Sequence, residues 1–228
     1  MVLTTHQPIF LPWPGFFFKA MQADVMVLLD DVQFPLGRGW MNRNRLKSDN
    51  DMLWLTVPVW KKGRGKQIIR NVQICNEEDW RKKHLRSILQ YYANAPYLGN
   101  HYPMIESIYM QRHELLIHLN VELIRYFWNV LGPKTKLILQ SELGILGKGT
   151  DLIVQICQSL NAGQYITFPI VEKYLDLGQV EGNNINVTFV QYHPPIYPQL
   201  WGDFIYNLST LDLLLNCGPK SRKIILHA

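Results

Sequence analysis

The sequence predicts an α/β protein, a Rossmann-like and mainly parallel sheet with helices on both faces and an all-α insertion. Three observations carry this. Within the first thirty residues a strand-like run, a helix-like run and a second apolar strand-like run follow one another, the order of a βαβ unit. From residue 136 onward short apolar runs again alternate with helical patterns. The stretch between, 76–132, carries helical periodicity alone. The chain therefore reads as one composite domain: an N-terminal βαβ half with motif loops (1–75), a helical insertion (76–132) and a C-terminal α/β half that completes the sheet (133–228).

Each element has its own justification. "MVLTTH" is a short strand that runs into a proline-rich loop, and "GFFFKAMQAD" opens the first helix. "VMVLLDD" is a continuous apolar run of the sort a buried parallel strand shows. "LWLTVPVW" (53–60) reads as the next strand and ends in the basic loop "KKGRGK". "NEEDWRKKHLRSILQYY" and "HELLIHLNVELIRYFWNVLG" are helical. In the second, Leu115, Leu116, Leu119, Leu123, Phe127 and Val130 form an apolar face at three- and four-residue spacing, and the Gly-Pro at 132–133 ends it. "KLIL" is a strand, "GKGTDLIVQICQSLNAG" a loop and helix, "QYITF" a strand, "EKYLDLG" a short helix and "INVTFVQYH" a strand. "LSTLDLLLNCG" is the last helix, with Ser209 as its N-cap and Gly218 beyond its end.

Composition narrows the function. Of 228 residues, 47% are hydrophobic and 18% charged, which is enough apolar material for a sizeable core. No run of eighteen apolar residues occurs, so no membrane span is expected. The opening residues lack the basic region and cleavage site of a signal peptide. Cys75, Cys157 and Cys217 lie far apart without a CxxC pair, as reduced thiols of a cytoplasmic protein do, and neither a disulfide framework nor a zinc site is expected. The net charge is +5, but residues 38–86 alone hold 13 Lys and Arg against 5 acids. That local balance of +8 describes a basic surface rather than a basic protein.

The candidate site residues cluster in a few motifs. "THQPIFLPWPGFFFK" (5–19) holds three prolines, so its backbone is rigid. It places His6 just after the first strand, then Gln7 and Trp13, and Gly15 at the first helix start. Open α/β sheets bind ligands at this end of their strands. Asp30 and Asp31 end the second strand, where a carboxylate can hydrogen-bond a sugar hydroxyl or orient His6, or a pair can hold Mg²⁺ through water. The plainer alternative is that one caps a turn. "RGWMNRNRLKS" (38–48) interleaves Trp40, Asn42, Arg43, Asn44, Arg45 and Lys47. If extended, it turns the asparagines to one face and the arginines to the other, where guanidinium forks match phosphate oxygens and an indole stacks on a ring. "GILGKGT" lacks the full P-loop pattern, leaving only a loose phosphate contact by Lys148 or Thr150. "YHPPIYPQLWGDF" (192–204) carries Tyr197, Gln199 and Trp201 as candidates to close the same cleft. No Ser-His-Asp elbow, HExxH or cluster of zinc ligands is present.

Together "HQPIFLPWPGFFFK", "LLDDVQF", "GWMNRNRLK", "WLTVPV", "GKGT", "YPQLWGDF" and "LSTLDLLLNCG" resemble the WbqC-like protein family across essentially the whole chain. Members are associated with gene clusters for O-antigen and other surface polysaccharides, and some are labelled glycine or aminoacyl transferases. The resemblance implies cytoplasmic work on a nucleotide-activated sugar or related precursor. Its signature falls on His6, Gln7, Pro8, Pro12, Trp13 and Gly15 in the opening loop, on Asp30 and Asp31, on Trp40, Asn42, Arg43, Asn44, Arg45 and Lys47, and on Tyr197, Gln199, Phe204, Ser209 and Asp212 near the C-terminus. Two positions depart from it: Phe16 stands where the family often has Tyr, and Thr167–Phe168 replace a small residue and Gly.

Three functions stay open on this reading. In the first, an acyl or aminoacyl group, glycyl among them, passes to a nucleotide-activated amino sugar. Arg43, Arg45 and Lys47 hold the diphosphate, Trp13 or Trp40 the ring, and His6 is the general base, because imidazole titrates near neutral pH. Gln7, Gly15, Asn42, Asn44, Tyr197, Gln199 and Asp212 complete the expected substrate-binding set, and an aminoacyl-tRNA is a candidate donor. The second is an ATP-dependent nucleotidyl transfer loosely similar to the HxGH type, although no second His follows Gly15. The third is a non-catalytic protein that binds sugar nucleotides or RNA. No particular cofactor is identified, and Mg²⁺ stays an open alternative.

Overall fold

The computed structural model describes residues 1–37 and 39–228. Five strands form one parallel sheet: β1 (Val2–His6), β2 (Val25–Leu28), β5 (Lys136–Leu139), β6 (Gln164–Thr167) and β7 (Asn186–Phe189), in the order β5-β2-β1-β6-β7. The chain builds outward from β1 to β2 and β5, then crosses back to place β6 and β7 on the other side. This is the Rossmann-like order, and its topological switch point lies between β1 and β6.

Helices cover both faces because the strands are apolar on both. In β2, Met26 and Leu28 join one core while Val25 and Val27 join another, the two-residue alternation of a strand buried on each side. The first core gathers α1 (Pro14–Ala20), the helical block α2 (Trp80–Tyr92), α3 (Leu98–Met110) and α4 (Leu116–Leu131), and the C-terminal helices α8 (Thr210–Cys217) and α9 (Ser221–Leu226). The second lies under α6 (Gly149–Ser159) and α7 (Leu177–Gly182), while the single turn α5 (Gln140–Leu143) follows β5 directly. None of the described helices is long and apolar enough to cross a membrane.

Helix ends follow the local signals. Gly132 closes α4 with φ 59°, a left-handed conformation that costs glycine little, and Ser209 accepts the Leu211 N–H at 3.1 Å to cap α8. Two expectations are refined. The strand expected at 53–60 is present but shorter, and it lies outside the main sheet. β4 (Met52–Thr56) pairs antiparallel with β3 (Arg43–Lys47) in a separate hairpin, and Pro58, which has no N–H to donate, follows it. "EKYLDLG" is not one helix: a 3₁₀ turn spans Pro169–Tyr174, and α7 begins only after Asp176, whose carboxylate accepts the Gln179 N–H.

Candidate functional site

Residues 7–13 leave β1 as a loop held from three directions. Asn44 donates from Nδ2 to the carbonyls of Phe10 and Leu11 at 3.1 and 2.7 Å, while its Oδ1 accepts the Arg45 N–H. Asn120, fully buried on α4, donates to the carbonyls of Pro8 and Met41 at 2.7 and 2.8 Å. The Thr210 N–H at the start of α8 donates to Pro12 at 2.8 Å. Leu11 sits at φ 44°, a left-handed conformation unfavourable for a branched side chain and sustained by these bonds. The proline-rich stretch is thus rigid by clamping as well as by composition.

At the carboxyl end of β1 this loop borders a cavity of about 460 Å³. His6, Gln7, Ile9 and Trp13 line it from the β1 side, Trp40 and Met41 from the segment ahead of the hairpin, and Asn44 and Arg45 from β3, with Asn207 opposite. Among the described residues the lining holds two indoles, one guanidinium, an imidazole and three amides, and no carboxylate. Gln7 has no hydrogen-bond partner for its side chain among the described residues, so its amide is available to a ligand.

The His6 imidazole donates from Nδ1 to the Gln7 carbonyl at 2.8 Å, which leaves Nε2 as the acceptor. Its ring meets Phe16 edge-on at 4.9 Å. Burial, then the positive charge of Lys19, pull its pKa down to about 3 against a weaker upward pull from the Gln7 carbonyl. His6 is therefore uncharged at neutral pH, contrary to the expectation that it titrates there.

Trp13 and Gly15 form a unit. A Cβ on Gly15 would stand 2.2 Å from the Trp13 ring, so the glycine is the seat on which the indole folds back. Trp13 then packs on Phe168 at 5.6 Å and Tyr192 at 5.0 Å. The ring therefore occupies the space over Gly15 in which a ligand was expected, and with only seven residues α1 supplies little dipole. Phe168, one of the departures from the family pattern, backs Trp13 rather than lining the cavity.

At the cavity mouth the hairpin and the segment ahead of it present a cationic aromatic stack. Trp40 and Trp54, 46% and 40% exposed, stack at 5.6 Å with 28° between planes. The Arg43 guanidinium lies 3.6 Å over the Trp54 ring, and Arg45 lies 5.3 Å from Trp40. Arg45 also donates to the Asn207 carbonyl at 3.1 Å.

The other sequence candidates stand elsewhere. Asp30 accepts the Ser141 N–H at 2.9 Å and the Ser141 hydroxyl at 2.6 Å, holding the start of α5. Asp31 pairs with Arg70 at 2.9 Å. Both oxygens of Asp30 are so committed, and no group of three potential metal ligands exists among the described residues. Asn42 donates to the Val57 carbonyl. Asp212 is fully buried between the hydroxyls of Tyr92 and Tyr197, and burial raises its pKa to about 6 while those two hydroxyls pull it down. Gln199 closes the 199–205 loop by exchanging two hydrogen bonds with Ile205, and Lys47 donates to the Asp203 carbonyl at 2.6 Å. Trp201 donates to the Tyr91 carbonyl, and Thr150 accepts the Asp176 N–H. Of the predicted set, His6, Gln7, Trp13, Trp40, Asn44 and Arg45 converge on the cavity.

Two residues were missed. Asn120 is the one polar residue on the apolar face of α4, four after Leu116 and three before Leu123. Lys19 is buried on α1, three residues after Phe16 and four after Gly15, a spacing that puts all three on the inward face.

A rigid loop at the carboxyl end of β1, a cavity with no carboxylate among its described lining residues and an indole-guanidinium rim characterise this α/β protein. The chain belongs to the WbqC-like protein family, whose model matches residues 7–224. It is 33% identical over 217 residues to "Uncharacterized protein Rv1507c" of Mycobacterium tuberculosis (strain ATCC 25618 / H37Rv), a match covering 94% of this chain and 93% of that protein. No solved structure matches it.

Proposed function

We propose that this protein is a cytoplasmic transferase of surface-polysaccharide precursor synthesis, passing an acyl or aminoacyl group to a nucleotide-activated amino sugar. The observation that carries the reading is the cavity lining: rings to stack on, a guanidinium for a phosphate and no carboxylate to repel one. Trp40 takes the ring and Arg45 the diphosphate, with Arg43 on the outer rim. The free amide of Gln7 takes a sugar hydroxyl, and Nε2 of His6 faces the reacting amine.

The amine attacks the acyl carbon, a C–N bond forms and the bond to the leaving group breaks. The amine proton passes to His6 Nε2 and on to the leaving group. In the free protein His6 is a weak base; the negative charge of a bound diphosphate raises its basicity. Positioning of two substrates in one rigid site supplies much of such a rate. Neither Asp30 nor Asp31 takes part, since both carboxylates are engaged elsewhere.

The test is mass spectrometry of uridine- and thymidine-diphospho amino sugars incubated with the protein and acyl or aminoacyl donors. The reading expects an acyl mass gain that His6→Gln lowers at least ~100-fold without loss of sugar-nucleotide binding. Binding with no turnover under any donor would leave the protein a binder.

A second reading is favoured by the exposed Trp40–Trp54 stack between two arginines, the arrangement that receives unpaired nucleic-acid bases. There the 3′ end of an aminoacyl-tRNA lies across the rim. Such binding weakens steeply with salt, whereas a closed sugar-nucleotide site responds less.

A further inference from the structure

Lys19 is the least expected charge in the fold. It is 2% exposed, its Nζ donates to the Thr5 carbonyl at 2.7 Å, and it stands 5.1 Å from the centre of the Phe168 ring. Among the described residues no carboxylate lies within ion-pair distance of it. An interior ammonium without a counterion is costly, and a methionine would fill similar space without that cost. Charges kept under such conditions concentrate at functional sites.

Its surroundings say which function. The Thr5 carbonyl belongs to the peptide that joins Thr5 to His6, so the ammonium grips the strand end at the residue that lines the cavity. Phe168 follows β6, which puts Lys19 at the switch point of the sheet, behind the Trp13–Phe168 pair. The groups facing it are His6 and Thr5 from β1 and the Phe168 ring. Tyr192, whose buried hydroxyl has no partner, lies against Phe168 and Phe18.

We infer that Lys19 is a positioning residue for His6: its ammonium grips the Thr5–His6 peptide and so fixes the end of β1 from which the imidazole lines the cavity. The titration of the two groups agrees with the geometry. Burial lowers Lys19 to about 7, and its charge is the second cause, after burial, of the low pKa of His6. The ammonium is fully charged in acid, where His6 would otherwise protonate, and is released only where His6 is neutral in any case. The inference gains its functional meaning from the proposed role of His6, but its test uses ligand-free protein and no substrate, so the two can fail separately.

That test is an NMR titration of the histidine ring protons from pH 4.5 to 8 in the wild type, Lys19→Met and Lys19→Arg, with His6→Gln assigning the resonance. The wild-type His6 signal is expected to stay flat. In Lys19→Met its midpoint rises by about one pH unit or more, so that a shift sets in towards the acid end. Lys19→Arg keeps the charge and the flat profile. Identical His6 curves in wild type and folded Lys19→Met would overturn the inference. If Lys19→Met does not fold, the titration of the wild-type Lys19 Cε signal decides: a midpoint near 7 is expected, and an ordinary midpoint of about 10.4 overturns it.

Discussion

Replacing Lys19 by methionine removes a buried charge, and the consequence depends on pH with a definite sign. The lysine titrates at about 7 in the folded protein against 10.5 when unperturbed. Between those values the unfolded chain binds more protons than the folded one, so wild-type stability rises with pH across the window. The cost of the buried ammonium is fully present below pH 7 and is lifted as pH climbs towards 10.5. At about 1.4 kcal/mol per pH unit, the part recovered between pH 7 and 9 is about 2 kcal/mol. The methionine variant has no such term. Thermal unfolding of both proteins at pH 7, 8 and 9 should therefore show the wild type gaining about 4–8 °C on Lys19→Met. Tyrosine and cysteine titrations are common to both proteins and cancel in the difference. Parallel melting curves across that range would refute the reasoning, because they would mean that Lys19 keeps an ordinary pKa inside the fold.

Three further outcomes are expected. Asn120→Ala leaves the Pro8 and Met41 carbonyls without their donor and should destabilise the protein by about 2–4 kcal/mol, read by urea unfolding; a cost within experimental error would mean that the opening loop is held without it. Gly15→Ala places a methyl group against the Trp13 ring and should expel the indole from Phe168 and Tyr192, seen as a changed tryptophan emission and weaker ligand binding. His84, whose Nε2 accepts the Thr56 N–H and whose pKa burial lowers to about 4, must bind a proton to unfold in acid. Its contribution of about 3 kcal/mol is present above pH 6.5 and is lost as pH falls towards 4. Asp212, raised to about 6, acts in the opposite sense over part of that range, and His84→Gln should make the acid limb shallower while the share of His6 remains.

Much of this architecture was readable from local pattern. The strands of the main sheet are short apolar runs between turn signals, and a strand buried on both faces needs no other mark. The α4 face and the caps at Gly132 and Ser209 obey rules confined to a few residues. The alternation in 42–45 also foretold that the asparagines and arginines separate to two faces. What it could not tell is what each face meets: the asparagines turn inward to bind backbone carbonyls, and the arginines meet the indoles.

The candidates that stand away from the cavity share one cause. Asp30 and Asp31 end a strand where a ligand carboxylate would stand, but their partners Ser141 and Arg70 lie 111 and 39 positions further along, and no local rule reaches that far. Asp212 and Tyr197 bind each other and Tyr92 in the core, so a motif shared by the family there marks folding as readily as chemistry. Lys19 and Asn120 were legible in principle. Each is a polar residue at an inward position of a helix whose neighbours at three and four residues are buried, and the helical spacing alone marks them as unusual.

The central claim is that the His6 cavity binds a nucleotide-activated sugar through Arg45 and Trp40. Calorimetric titration of the wild type, Arg45→Ala and Trp40→Ala with uridine- and thymidine-diphospho amino sugars tests it most directly. The account predicts one site per chain in the wild type and a loss of affinity of about 10-fold or more in each variant, with the fold unchanged by circular dichroism. No heat with any sugar nucleotide, or equal affinity in all three proteins, would contradict it.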